Sequence, residues 1–203
     1  MKKVAVVGAG ITGLCSAYYL ARQGHKVTVF EAERYAGMKT SFANGGQISV
    51  SNSETWTTWS NIKKAFKWMF QKDAPLKFRF RLDWAMWRWV VKFLWATITN
   101  KYASNTVETV KMGLESRRLY DEICIEEHIE NRVFDRSNCG IVHFYKTPSY
   151  WQNAQDVQEL YEGNGCQWDI LTSDQHVKAL DPALADIEGI IGGTWTSTDW
   201  TGD

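Results

Sequence analysis

The chain has 203 residues, 44% of them hydrophobic, and its 23 basic side chains balance 23 acidic ones. That composition supports a packed core, excludes wholesale disorder and gives no overall pull toward a polyanion. Four scattered cysteines (Cys15, Cys124, Cys139, Cys166) without a Cys-x-x-Cys pair point away from a zinc site or disulfide framework and suit a reducing cytoplasm.

Residues 3–8, Lys-Val-Ala-Val-Val-Gly, read as a buried strand at the start of the chain, so no signal peptide is expected. Gly8-Ala9-Gly10-Ile11-Thr12-Gly13 follows, then a helix to Gln23 that Gly24 ends. Residues 25–30 read as a second strand, with Glu31 at its end. Strand, glycine turn, helix, strand and acid form the fingerprint for the ADP half of a dinucleotide. Gly8 permits the tight turn, Gly10 lets backbone approach a pyrophosphate, and Gly13 lets the helix lie on the strand. The helix N-terminus offers unpaired N–H groups to the phosphates. Glu31 stands 18 positions after Gly13, close to the roughly 20 expected of an acid that accepts from ribose hydroxyls. An acid there disfavours a 2′-phosphate, so NADP is the least suited ligand. The candidate contacts are Val7, Gly8, Ala9, Gly10, Ile11, Thr12, Gly13, Glu31 and Ala32. At this point NAD and FAD are both open.

Residues 32–53 are polar and small, with Thr40-Ser41-Phe42-Ala43-Asn44-Gly45-Gly46-Gln47-Ile48-Ser49 at their centre. A loop this long after a nucleotide fingerprint reads as a cofactor loop rather than a plain connector.

Seven of the eleven tryptophans fall in residues 54–98 (Trp56, Trp59, Trp68, Trp84, Trp87, Trp89, Trp95). Residues 61–96 hold nine basic side chains (Lys63, Lys64, Lys67, Lys72, Lys77, Arg79, Arg81, Arg88, Lys92) against Asp73 and Asp83, a net +7. The rest of the chain carries the opposing −7. Aromatic rings with polar edges and basic residues with long stems suit a lipid headgroup interface. Arg88 and Lys92 make 84–98 too short and too charged to span a bilayer, so a helix lying in the interface is expected. Two other readings stand beside it: a core helix pair with solvated basic faces, and a nucleic-acid site that stacks bases.

Residues 104–130 read as one long helix, capped by Asn105 with Glu108 and striped by Val107, Val110, Leu114, Leu119, Tyr120 and Ile123. Arg117 and Arg118 are expected to face acids later in this helix. Residues 133–136 and 139–145 read as two short strands. Residues 148–163 read as a helix with Ala154, Val157, Leu160 and Tyr161 inward. A strand at 168–171, a helix capped by Thr172 or Ser173, and a strand at 190–195 complete the pattern. His25, His128, His143 and His176 lack metal-ligand spacing, so no metal site is expected. His25 reads as a surface residue. His143 sits in an apolar strand, where a satisfied sheet histidine is the commoner case and a pocket-facing one the alternative. Gly-x-Ser-x-Gly and the P-loop are both absent, which argues against a hydrolase elbow and an NTPase.

The glycine fingerprint, with Ser41, Ala43, Asn44, Gly46, Gln47, Ile48 and Ser49, resembles the D-amino-acid dehydrogenase family, within the D-amino-acid oxidase and glycine oxidase fold group. The resemblance continues through 65–70, 74–76, Gly140-Ile141-Val142-His143-Phe144, Leu180-Asp181-Pro182-Ala183-Leu184, Gly192-Gly193 and Thr201-Gly202-Asp203. It implies an α/β chain: a Rossmann-type FAD-binding domain with an α+β substrate domain whose C-terminal portion is missing. The expected division is 1–53 for the FAD-binding unit and cofactor loop, 54–130 for a helical insertion that contacts a membrane, and 131–203 for the start of the substrate region. The implied cofactor is FAD, with Thr40, Ser41, Ala43, Asn44, Gly45, Gly46, Gln47 and Ile48 as further contacts. The implied reaction is oxidative deamination of D-amino acids, with electrons passed to a quinone. That location suits a cytoplasmic protein peripheral on the inner face of the cell membrane, and the flavin demotes nucleic acid. A peroxide-forming amine oxidase of the same family, or an inactive fragment, are the alternatives. The resemblance names no catalytic residue.

Overall fold

A computed structural model describes residues 1–69, 71 and 81–202. Phe70, Lys72, Asp73, Ala74, Pro75, Leu76, Lys77, Arg79 and Asp203, which figure in the reading above, lie outside the described residues. The chain forms two compact units, Met1–Gly46 and Gln47–Asp203, dividing inside the stretch assigned to the cofactor loop.

In the first unit β1 (Lys3–Val7) and β2 (Lys26–Phe30) pair in parallel, with Lys3 opposite Lys26 and Val7 opposite Phe30. The crossover between them is α1 (Ile11–Arg22), as a parallel pair requires. This unit buries Ala9 alone among its side chains. Val7 and Phe30 share a sheet face and are 87% and 57% exposed. Its shape therefore comes from backbone pairing and from Gly13, where a Cβ would sit 2.0 Å from the Gly8 carbonyl oxygen. His25 is half-buried, with Nδ1 enclosed, so it is less of a surface residue than its sequence position suggests.

The second unit begins with β3 (Gln47–Ile48), α2 (Trp59–Met69), α3 (Trp84–Ile98) and α4 (Tyr102–Glu126). It continues with β4 (Ile141–Tyr145), α5 (Pro148–Asp156), α6 (Gln158–Glu162), β5 (Asp169–Leu171), α7 (Asp174–Leu180), β6 (Gly192–Thr196) and β7 (Trp200–Thr201). Strands β4, β6 and β5 form an antiparallel sheet with β6 in the middle, and β3 pairs antiparallel with β7. Gly193 in the central strand lets α7 close on the sheet, since a Cβ there would lie 2.7 Å from both Val177 and the His143 carbonyl. Around Val110 of α4 the core gathers Val50, Ala154, Val157, Tyr161, Cys166 and Trp168. Tyr161 stacks on Trp168 with ring centroids 4.4 Å apart. Two large rings in a packed interior carry much of its apolar contact.

Several expectations need correction. Residues 133–136 make no strand; a 3-10 turn at Asn131–Val133 leads to a single bridge between Ser137 and Thr201. The 148–163 helix breaks at Val157, which ends α5 and starts α6. The long helix starts at Tyr102, after Lys101, so Asn105 lies inside it rather than at its cap. Arg118 does pair with Glu115 and Glu122, but Arg117 turns away and donates to the Thr198 carbonyl at 3.1 Å. Ser173 caps α7 by accepting from the His176 N–H.

Helix α3 has the expected bounds, and Asp83 caps it by accepting from the N–H groups of Ala85 and Met86. Met86, Trp87, Val90, Phe93, Ala96 and Thr97 are its more buried residues. Trp84, Arg88, Val91, Trp95 and Ile98 recur at helical spacing and are exposed. Among the described residues no helix is long and apolar enough to cross a membrane.

Candidate cofactor site

In the first unit, β1 delivers the chain to Gly8, whose φ of +96° places it in the left-handed region open to glycine. Its N–H is held by the Phe30 carbonyl at 2.7 Å, tying the turn to the end of β2. Gly10 is the N-cap of α1, extended and without a side-chain cap of its own. The Ser41 hydroxyl accepts from the Ile11 N–H at 3.0 Å instead, reaching over from the loop. By helix geometry the N–H groups of Thr12 and Gly13 have no partner within α1, and the helix dipole makes that end attractive to anions.

Glu31 follows β2 directly. Its Oε2 accepts from the Ala9 N–H at 2.6 Å, and its Oε1 from the N–H groups of Ala32 and Glu33 at 2.7 and 2.9 Å. The bonds from Glu33 and Ala9 hold the carboxyl below its usual range. The anion is thereby fixed beside the glycine turn, with lone pairs left for hydroxyl donors. These residues fit the ADP half of a dinucleotide. Gly13 leaves no room for a side chain, Gly10 places none over the helix end, and the acid stands where ribose hydroxyls would reach it.

The loop follows its own logic. Asn44 closes a turn, donating from Nδ2 to the Ser41 carbonyl at 3.0 Å and accepting at Oδ1 from the Gly46 N–H at 2.7 Å. Gly37, which the sequence reading passed over, donates to the Ala9 carbonyl at 2.9 Å with φ +77°. A glycine in a polar turn was its one available signal. Thus Gly8 to Gly13, Glu31, Ala32 and Ser41 come together in one place. Val7 points outward at the end of β1, and Thr40, Ala43, Asn44 and Gly45 are exposed on the loop. Gln47 and Ile48 belong to the second unit, as β3.

The second unit holds a polar cluster that the sequence did not announce. Asp199 is fully buried, and its two oxygens accept from the N–H groups of Val50 and Ser51 at 3.1 and 3.0 Å. Arg117 stands 3.6 Å from it as counter-ion. The Ser51 hydroxyl meets Ser49 Oγ at 2.9 Å and His143 Nε2 at 3.2 Å. Burial pushes the His143 imidazole below its ordinary value, so it is neutral at pH 7. His143 also lines a cavity, so both readings of it hold: it is hydrogen-bonded and it faces a pocket. Burial pushes the Cys166 thiol up to about 12, which rules it out as a thiolate nucleophile at neutral pH. Among the described residues no group of three or more His, Cys, Asp or Glu side chains could hold a metal ion.

Comparison with known proteins agrees with this geometry. The family model described as FAD dependent oxidoreductase (DAO) matches residues 3–203. The D-amino acid dehydrogenase 3 of Mesorhizobium japonicum is 38% identical over 203 residues, covering 100% of this chain and 47% of the relative. The chain spans about half the length of the curated relatives it matches. Glycine oxidase from Bacillus cereus superposes with a TM-score of 0.58 at 17% identity, over 98% of this chain and 39% of that one. L-proline dehydrogenase from P. horikoshii gives 0.62 at 19% identity, over 100% and 38%. At such identities these two structures speak for the fold alone.

Proposed function

The chain belongs to the FAD dependent oxidoreductase family, and on that premise we propose that it serves the oxidative deamination of D-amino acids to 2-oxo acids and ammonia. The observation that carries this reading is the similarity to a D-amino acid dehydrogenase along the whole chain. The cradle at the start of α1 supports it. Here FAD, when bound, supplies the two-electron acceptor for the hydrogen leaving the substrate Cα. The chain's own part is to anchor it. The N–H groups of Thr12 and Gly13 would hold its pyrophosphate, and Glu31 would accept from ribose hydroxyls and repel a 2′-phosphate. Ser41 keeps the first N–H of α1 satisfied, which would leave the next two for the anion.

For the electrons we propose a quinone-type acceptor reached at a membrane surface, with the protein peripheral on the inner face of the cell membrane. The outward row of α3 supports this: Trp95 is 64% exposed, beside exposed Trp84, Val91 and Ile98, with Arg88 and Lys92 alongside. Apolar rings flanked by cations suit an anionic leaflet, where each basic residue contributes about 1 kcal/mol. Vesicles with phosphatidylglycerol should sediment the protein at low salt and release it at high salt. Equal sedimentation with neutral vesicles would remove the electrostatic part of this proposal.

The test of the reaction is a dye-linked assay over a panel of D-amino acids beside an assay for peroxide. Dye reduction without peroxide is the expected result. Peroxide with glycine or sarcosine and no dye would identify an oxidase, and a colourless protein that binds NADH would overturn the reading.

A further inference from the structure

Beside the turn held by Asp199, within the second unit, lies a cavity of about 320 Å³ to which the flavin reading gives no task. It falls at the small end of the range for ligand pockets. Among the described residues Glu54 is the sole carboxylate in its wall. Its Oε1 accepts from the Tyr102 hydroxyl and, at 3.2 Å, from the Asn153 amide. Burial and the adjoining carboxylate push the Tyr102 phenol far above its ordinary range, so it remains the donor of the pair. No described residue bonds the second oxygen, Oε2.

Aromatic residues share the wall with this carboxylate: Tyr145, Tyr150 and Trp168 all line the cavity. One of them already receives an ammonium, since Lys64 Nζ lies 4.7 Å from the centroid of the Tyr150 ring. The bases in the wall leave the carboxylate available. His143 is held neutral by burial, and Lys146 is exposed at the rim. A carboxylate oxygen with no partner among the described residues, in a cavity that aromatic rings also line, matches an alkylammonium in charge, in hydrogen bonding and in cation–π attraction.

We propose that this cavity binds a small molecule bearing an alkylammonium group, with Glu54 as its counter-ion. Calorimetric titration of the purified chain with n-butylammonium at low ionic strength tests it. Saturable binding is expected, weakened by about tenfold or more in Glu54→Gln, which keeps an acceptor oxygen for Tyr102. In Tyr150→Ala, which leaves the bonds of Glu54 in place, a loss of roughly threefold is expected. D-lysine and D-norleucine distinguish the source of the group: tighter D-lysine identifies a side-chain ammonium, and equal binding of the two identifies the α-ammonium. Absence of saturable binding by all three probes would overturn the proposal, as would unchanged affinity in both variants or equal binding of butyrate. Flavin absorbance of the same preparations reads the cofactor separately. A flavin-free protein that binds n-butylammonium would sink the oxidoreductase reading and leave this one standing.

Discussion

The two units are stabilised in opposite ways. Met1–Gly46 buries one side chain and is shaped by backbone pairing, by glycines and by a carboxylate that accepts backbone N–H groups. Gln47–Asp203 is shaped by side chains far apart in sequence: Asp199 holds Val50 and Ser51, and Val50 shares a core with Val110 and Tyr161. A ligand cradle made of backbone can be written in a short stretch. A packed unit with an interior charge needs partners from both ends of its chain. Substitutions should therefore act through backbone fit in the first unit and through lost partners in the second.

The largest effect belongs to the interior charge. Asp199→Ala leaves two buried N–H groups unpaired and Arg117 without its counter-ion. Breaking a buried pair in this way costs about 3–5 kcal/mol, and thermal or urea unfolding should show it. Loss within surface-mutation range would mean the Asp199 turn is not what holds the second unit together. Next comes Gly13→Ala, whose Cβ would lie 2.0 Å from the Gly8 oxygen. Such overpacking costs about 1–3 kcal/mol. It should abolish flavin retention while amide exchange in the helices and strands described for the second unit stays protected. Ser173→Ala removes the cap of α7 and should cost about 1 kcal/mol without touching flavin retention.

The smallest expected effect is a matter of pH. His143 is depressed below its ordinary value of 6.5. The unfolded chain thus binds more protons than the folded one between the two values. This contribution is fully present above 6.5 and is lost as pH falls through the folded value. His143→Gln should flatten stability against pH in that window. An unchanged slope would place the acid sensitivity elsewhere.

Much of the first unit was legible because its signals are local. Residues 3–31 carry strand, glycine and acid signals in the spacing that the geometry uses. The role of Ser41 was harder to read, since a serine in a loop gives no sign that it will cap a helix 30 residues back. In the second unit the sequence located helices and strands from periodicity but missed what joins them. Asp199 resembles any polar turn residue until Val50 and Ser51 are seen to donate to it. The supposed strand at 133–136 failed because alternating side chains mean little without a partner strand in register. The break at Val157 had no local marker, because Asp156, Val157 and Gln158 are all compatible with an unbroken helix.

The central claim is that the start of α1 holds the ADP half of FAD. It is tested most directly by titrating FAD, FMN and NADH into the purified chain and following flavin and nicotinamide fluorescence. FMN has the flavin ring and lacks the ADP half. The account predicts saturable binding of FAD, much weaker binding of FMN, and loss of FAD binding in Gly13→Ala. Binding of FMN as tight as FAD, or of NADH tighter than both, would contradict it.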